Sequence, residues 1–113
     1  MKDCLFCKIV TGEVPSTKIF ENAHVLAFHD ITPQAPFHAI IIPKEHISDA
    51  DQIDADNSAL IGKVFEAAAI IARERNIKTG FRIVNNCGED AGQTVGHIHF
   101  HMLAGRTLAW PPG

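Results

Sequence analysis

The sequence predicts an α+β fold, in which an antiparallel sheet is covered on one side by helix. Three observations predict it. Residues 38–43, "HAIIIP", form a continuous β-branched apolar run, the mark of a central strand buried on both faces. Residues 54–76 repeat apolar side chains at three- and four-residue spacing, the period of a helix with one buried stripe. Strand patterns lie before and after that helix, mostly connectable as hairpins, which favours antiparallel pairing.

The elements follow in order. Asp3 is placed to cap a short helix over "CLFCKIV", which Gly12 ends in the left-handed conformation ahead of Pro15. "TKIFEN" and "HVLAFHD" read as two strands of a hairpin around residues 21–23, with Val25, Ala27 and His29 on one face and Leu26, Phe28 and Asp30 on the other. Pro33 and Pro36 force a loop, and Pro43 stops the "HAIIIP" strand. The long helix buries Leu60, Ile61, Val64, Phe65, Ala68, Ile71 and Ala72, and its acid-rich start and Arg-rich end suit the macrodipole. "FRIVNN" is a strand, "CGEDAGQTVG" a glycine-rich loop and "HIHFHMLA" the last strand. The tail "WPPG" can be neither helix nor central strand, because two prolines remove two donors.

Composition narrows the function. A chain of 113 residues, 46% hydrophobic and 20% charged, suits one domain over residues 1–113 with a core of its own. A formal net charge of −3 and the lack of any lysine or arginine cluster argue against nucleic acid as a partner; Arg73 and Arg75 merely close a helix. No apolar run approaches the roughly 20 residues that span a bilayer, and the start carries no signal-peptide core. These features point to a cytoplasmic protein with no membrane partner. Three cysteines make a disulfide framework a poor fit. Cys4 and Cys7 form a C-x-x-C pair, open at this point to three readings: half a metal site, a buried pair on one helical turn, or a redox pair.

The chemistry concentrates in "GHIHFHML", residues 96–103. On a strand, His97, His99 and His101 project from one face, while Ile98, Phe100 and Met102 enter the helix-covered core. Two functions fit such a row. Neutral imidazoles at alternate positions can grip one transition metal, as in a metal-dependent hydrolase. Alternatively, the central imidazole is a nucleophile towards phosphorus: neighbouring histidines disfavour each other's protonated form, so one ring stays neutral while a flanking ring carries a proton for the leaving group. The preceding loop favours the second. Gly88, Gly92 and Gly96 let backbone N–H groups approach an anion, and Gln93 and Thr94 add side-chain donors.

"HIHFHML" resembles the histidine triad signature, and "AFHDITPQAPFHAIIIPKEHI", "FRIVNNCGEDAGQTVGHIHFHMLAGR" and "WPPG" resemble segments of Hint-type nucleoside phosphoramidases of that superfamily. The resemblance covers nearly the whole chain. It implies a five-stranded antiparallel sheet with two helices, and a homodimer whose sheets join into one ten-stranded sheet. It implies hydrolysis of purine nucleoside 5′-phosphoramidates such as an AMP phosphoramidate, with no cofactor required for catalysis. His99 would attack the α-phosphorus, and His101 would contact the phosphate and help protonate the leaving amine. His38 would orient the triad, of which His97 is the first member. Asp30 would bind both ribose hydroxyls, and Phe28, His29 and Ile31 would line the base pocket. Asn86, Gly92, Gln93 and Thr94 would hold ribose and phosphate, Thr94 standing where some members have serine. Trp110 and the tail would reach toward the partner's active site.

Some bacterial triad proteins hold a structural zinc with a C-x-x-C pair and two histidines. That resemblance implies Cys4, Cys7, His46 and His97 here, a sound tetrahedral set if helix and strand bring them together. Two alternatives stand beside the phosphoramidase: a dinucleoside polyphosphate hydrolase of the same superfamily, against which the short chain weighs, and a nucleotide-binding scaffold.

Overall fold

The computed structural model describes residues 3–113. Its elements are α1 (Leu5–Thr11), β1 (Lys18–Glu21), β2 (Val25–His29), β3 (Phe37–Pro43), a short 3-10 turn (Ala50–Gln52), α2 (Ser58–Glu74), β4 (Phe81–Asn85) and β5 (Phe100–Ala104). The five strands form one sheet in the order β1-β2-β3-β5-β4, and every neighbouring pair is antiparallel.

Strand β3 is the centre of the sheet, and its alternation assigns both faces. Ala39 and Ile41 join Val25, Ala27, Phe100 and Met102 beneath α2, which contributes Val64, Ala67, Ala68 and Ile71. Ile40 and Ile42 join Leu26 and Phe28 on the opposite face, where Phe6 and Ile9 of α1 pack. Helix therefore covers both faces, not one. The reason is that α1 is itself amphipathic: Phe6 and Ile9 stand three residues apart and are both buried.

Four features differ from expectation. The N-cap of α1 is Cys4, whose sulfur accepts the Cys7 N–H at 3.3 Å, so Asp3 does not cap. Helix α2 begins at Ser58, because Asp54 closes a turn instead: its Oδ1 accepts the N–H groups of Asp56 and Asn57. No acidic residue stands in the first turn of α2. Phe65 stays about half exposed although its ring meets Phe100 edge-on at 5.8 Å. Finally, β5 starts at Phe100, not His97. Ile98 donates its N–H to Ile47 O at 2.6 Å, so this segment is tied to the loop after β3 before it enters the sheet.

Gly105 follows β5 at φ +95°, and a Cβ there would stand 2.9 Å from Pro36 Cβ, so a larger residue is barred twice over. Among the described residues no helix is long and apolar enough to cross a membrane.

Candidate active site and metal cluster

The triad segment lies against β3 on the α1 face. In the ladder His101 stands opposite Ile40, and His38 opposite Leu103. Directly opposed residues share a face, so His38 and His101 come together from adjacent strands. Their rings are 5.0 Å apart, and those of His99 and His101 are 5.3 Å apart.

Hydrogen-bond partners assign a tautomer to each imidazole. The Gln34 N–H donates to His38 Nδ1 at 3.0 Å, so neutral His38 carries its proton on Nε2. That proton is donated to His101 Nδ1 at 2.8 Å, which leaves the His101 proton on Nε2, at the open end of the ring. His99 donates from Nδ1 to its neighbour's carbonyl, His97 O, at 2.8 Å, so its Nε2 carries a lone pair. His97 donates from Nε2 to Pro43 O at 2.9 Å and turns a bare Nδ1 toward the cysteines. One lone pair and one N–H thus stand on adjacent rings, the pairing that nucleophilic displacement with proton donation requires.

Charge supports the same division. Burial holds the His101 pKa below the usual value, with the nearby His99 and His38 rings adding to the shift and Asp30 opposing it. Burial also lowers His38, again against Asp30. Burial lowers His97, opposed by its bond to Pro43. All three are thereby held neutral near pH 7. Asp30 Oδ2 lies 3.4 Å from His38 Nε2 and 3.8 Å from His101 Nδ1, while its Oδ1 accepts the Thr32 N–H and hydroxyl.

The histidine row is not the solvent-facing surface that alternation alone suggests. His97 is fully buried and His99 is 5% exposed, because Phe6 of α1 lies across them with ring centroids 6.0 and 5.0 Å away. Nor do the three triad rings converge on one metal. Donor atoms that share a point fall into two groups, Cys4–Cys7–His46–His97 and Asp30–His38–His101, and His99 belongs to neither. In the second group His38 presents an N–H, not a lone pair, which disfavours a cation there.

The first group suits zinc. His97 Nδ1 lies 3.3 Å from Cys4 Sγ and 3.6 Å from Cys7 Sγ, and His46 Nδ1 lies 3.4 Å from Cys7 Sγ. All four donor atoms lie within 4.8 Å of one another. A tetrahedral zinc with bonds of about 2.0–2.3 Å requires ligand atoms at spacings of this size. The bond from His97 Nε2–H to a backbone carbonyl fixes the ring for metal at Nδ1, as histidine ligands commonly require.

Beside the triad opens a cleft of about 520 Å³. Phe28, His29, Asp30 and Ile31 line it, as the resemblance implied for the base and ribose. Ile31 stands at its rim, 95% exposed. Leu5, Phe6 and Ile9 of α1 complete the wall and were not foreseen. Their only sequence signal was the amphipathic spacing of "LFCKIV". Asn85 was missed as well: its Nδ2 donates to His99 O at 2.9 Å and pins the backbone there, whereas the expected Asn86 is its half-buried neighbour.

The glycine loop turns much of its polarity inward. The Gly92 N–H donates to Glu89 O and the Gln93 N–H to Gly88 O. The Gln93 side chain accepts the Gly88 N–H and donates to Ser48 O and Val95 O, so it braces the loop instead of offering its amide to an anion. Thr94 is exposed and, with Gly96, borders a separate cavity of about 420 Å³ that also reaches Cys4 and His46. Trp110 is 82% exposed, on a tail held to β4 where the Arg82 guanidinium donates to Leu108 O and Ala109 O.

An antiparallel five-stranded sheet with an alternating histidine segment beside an apolar cleft defines a histidine triad protein. Residues 11–108 match the HIT domain model, and the chain belongs to that family, where it is Hint-like. It is 40% identical to the adenylylsulfatase HINT1 of Arabidopsis thaliana over 111 residues, covering 96% of this chain and 76% of that protein. It is 40% identical to a 14 kDa zinc-binding protein of Brassica juncea over 113 residues, covering 98% and 100%. Among solved structures, a HIT family hydrolase of Legionella pneumophila superposes with a TM-score of 0.95 at 46% identity, covering 98% of this chain and all of that one.

Proposed function

We propose that this single domain, residues 1–113, hydrolyses purine nucleoside 5′-phosphoramidates through a nucleotidyl-histidine intermediate. The observation that carries the proposal is the tautomer order along Gln34, His38, His101 and His99. The His99 Nε2 lone pair attacks the α-phosphorus. His101 first takes a proton from solvent at Nδ1, beside Asp30; the P–N bond then breaks, its electron pair goes to the amine nitrogen, and that nitrogen takes the His101 Nε2 proton, which leaves a neutral ring. Water then attacks the phosphorus, His101 receives a proton from it, and the bond to His99 breaks to release the nucleotide. Proton transfer by a positioned imidazole contributes about 10²–10⁴-fold. His38 holds the tautomer of His101, and Asp30 stabilises positive charge as it builds on the pair. Phe28, His29, Ile31 and the α1 wall enclose the base, and the remaining lone pairs of Asp30 accept from the ribose hydroxyls.

Cys4, Cys7, His46 and His97 would hold zinc, which supplies a fixed tetrahedral cross-link and no step of the reaction. A zinc-binding name among the relatives accords with this. Strand β4 is an edge of the sheet and carries the exposed Phe81, which suits a homodimer that extends five strands to ten. The protein would act in the cytoplasm on a free nucleotide such as AMP or its phosphoramidate. One relative's name, adenylylsulfatase, favours a second substrate class: the same attack on an adenylyl sulfate expels sulfate, which leaves without needing a proton.

The test is AMP release from adenosine 5′-phosphoramidate at saturating substrate, by wild type and His99→Ala, each with and without a strong chelator. Turnover lost in His99→Ala and indifferent to the chelator is the expected result. Turnover removed by the chelator would instead place a metal in the reaction, and no turnover by wild type would leave a nucleotide-binding scaffold.

A further inference from the structure

Helix α1 belongs to two sites at once. Its Cys4 and Cys7 sulfurs face His97 and His46, and its Leu5, Phe6 and Ile9 side chains wall the 520 Å³ cleft. The two sets interleave along the first turns of the helix, so the cleft wall cannot keep its place if the sulfurs leave theirs. Seven residues are too few for a helix to hold itself in water. What holds α1 is the burial of Phe6 and Ile9 against Phe28 and Ile40, together with the polar cluster.

We infer that the Cys4–Cys7–His46–His97 cluster is a control point for nucleotide affinity: zinc in the cluster docks α1, and docked α1 completes the base pocket. This rests on the metal and nucleotide assignments proposed above. The nucleophile itself should be spared. The carbonyl that holds His99 is fixed without metal, since the His97 ring bonds Pro43 O and the next amide, Ile98 N–H, bonds Ile47 O. Metal occupancy should therefore act on Kd and KM and leave kcat nearly unchanged. Apparent affinity falls in proportion to the population of the competent state, so a wall docked in about a tenth of molecules weakens binding about tenfold.

The experiment uses the whole chain in three forms: zinc-loaded, chelator-stripped, and stripped then reloaded with zinc. Zinc content, AMP Kd by calorimetry and amide hydrogen exchange of α1 are measured on each. The inference expects one zinc per chain, an AMP Kd about tenfold weaker on stripping, faster exchange confined largely to α1, and reversal of both on reloading. Cys7→Ser is expected to behave as the stripped form, and the reversibility of the wild-type series covers the case in which that variant does not fold. One bound zinc with an unchanged AMP Kd overturns the inference and leaves the metal assignment standing. Absence of zinc binding overturns both. A loaded protein that does not bind AMP removes the nucleotide assignment and this inference with it.

Discussion

His97 and His101 stand two residues either side of His99, in one segment of alternating pattern, yet they do opposite things. His97 is fully buried, donates from Nε2 to Pro43 O and directs a lone pair from Nδ1 at two sulfurs. His101 keeps a fifth of its side chain exposed, accepts at Nδ1 from His38 and carries its proton on Nε2. The difference does not lie in the imidazoles. It lies in which nitrogen each neighbouring element engages, and that choice suits one ring to ligate a metal and the other to donate a proton.

The comparison breaks first at His101. Replacing it with alanine should lower kcat on a phosphoramidate by about 10²–10⁴-fold, the contribution of a positioned proton donor. On an adenylyl sulfate the loss should be much smaller, because sulfate leaves unprotonated. Steady-state rates on both substrates decide it, and equal losses would show that His101 binds phosphate and does not act as an acid.

A smaller effect is expected at Asp30. Asp30→Asn keeps an acceptor for the Thr32 amide while removing the charge, and should raise KM about tenfold, as befits charge-assisted bonds of roughly 1.5–3 kcal/mol. A 2′,3′-dideoxyribose substrate should show little of that rise in KM, whereas any loss of kcat through the His38–His101 pair falls on both substrates. If the two substrates suffer alike, Asp30 serves the His38–His101 pair and not the sugar.

The smallest effect is on stability. His38, His97 and His101 all have folded pKa values below the ordinary 6.5, chiefly through burial. The unfolded chain therefore binds more protons near that pH, and stability rises with pH through this window. Stability should be fully present above about pH 6.5 and be lost progressively as pH falls toward the depressed folded values. Thermal melts of the metal-free protein between pH 5 and 8 measure this slope, and His101→Asn should flatten it in part. A slope of opposite sign would mean that the three rings are charged in the folded state.

Much of this site could be read from the chain. Period-two alternation correctly sent Ile98, Phe100 and Met102 under α2, and the unbroken run of β3 correctly read as buried on both faces. Cys4, Cys7, His46 and His97 do come together, as the resemblance to zinc-holding triad proteins implied. What stayed illegible depends on partners distant in sequence. Nothing near Phe6 tells that it will cover His97 and His99, and nothing near Gln93 tells that its amide will turn back to Ser48 O. Tautomers are further still from the sequence, since the state of His101 is settled by a backbone amide at Gln34 acting through His38.

The bond between Cys4 and His97 joins residues 93 positions apart. During synthesis α1 leaves the ribosome 93 residues ahead of the ring it must meet. Until then its two sulfurs lack the His97 ring that the folded chain sets beside them. Closing so long a loop also carries an entropic cost that grows with the logarithm of its length, and nothing local repays it along the way. The α1 wall of the cleft is therefore secured late, although every residue that lines the cleft is made early, between positions 5 and 40.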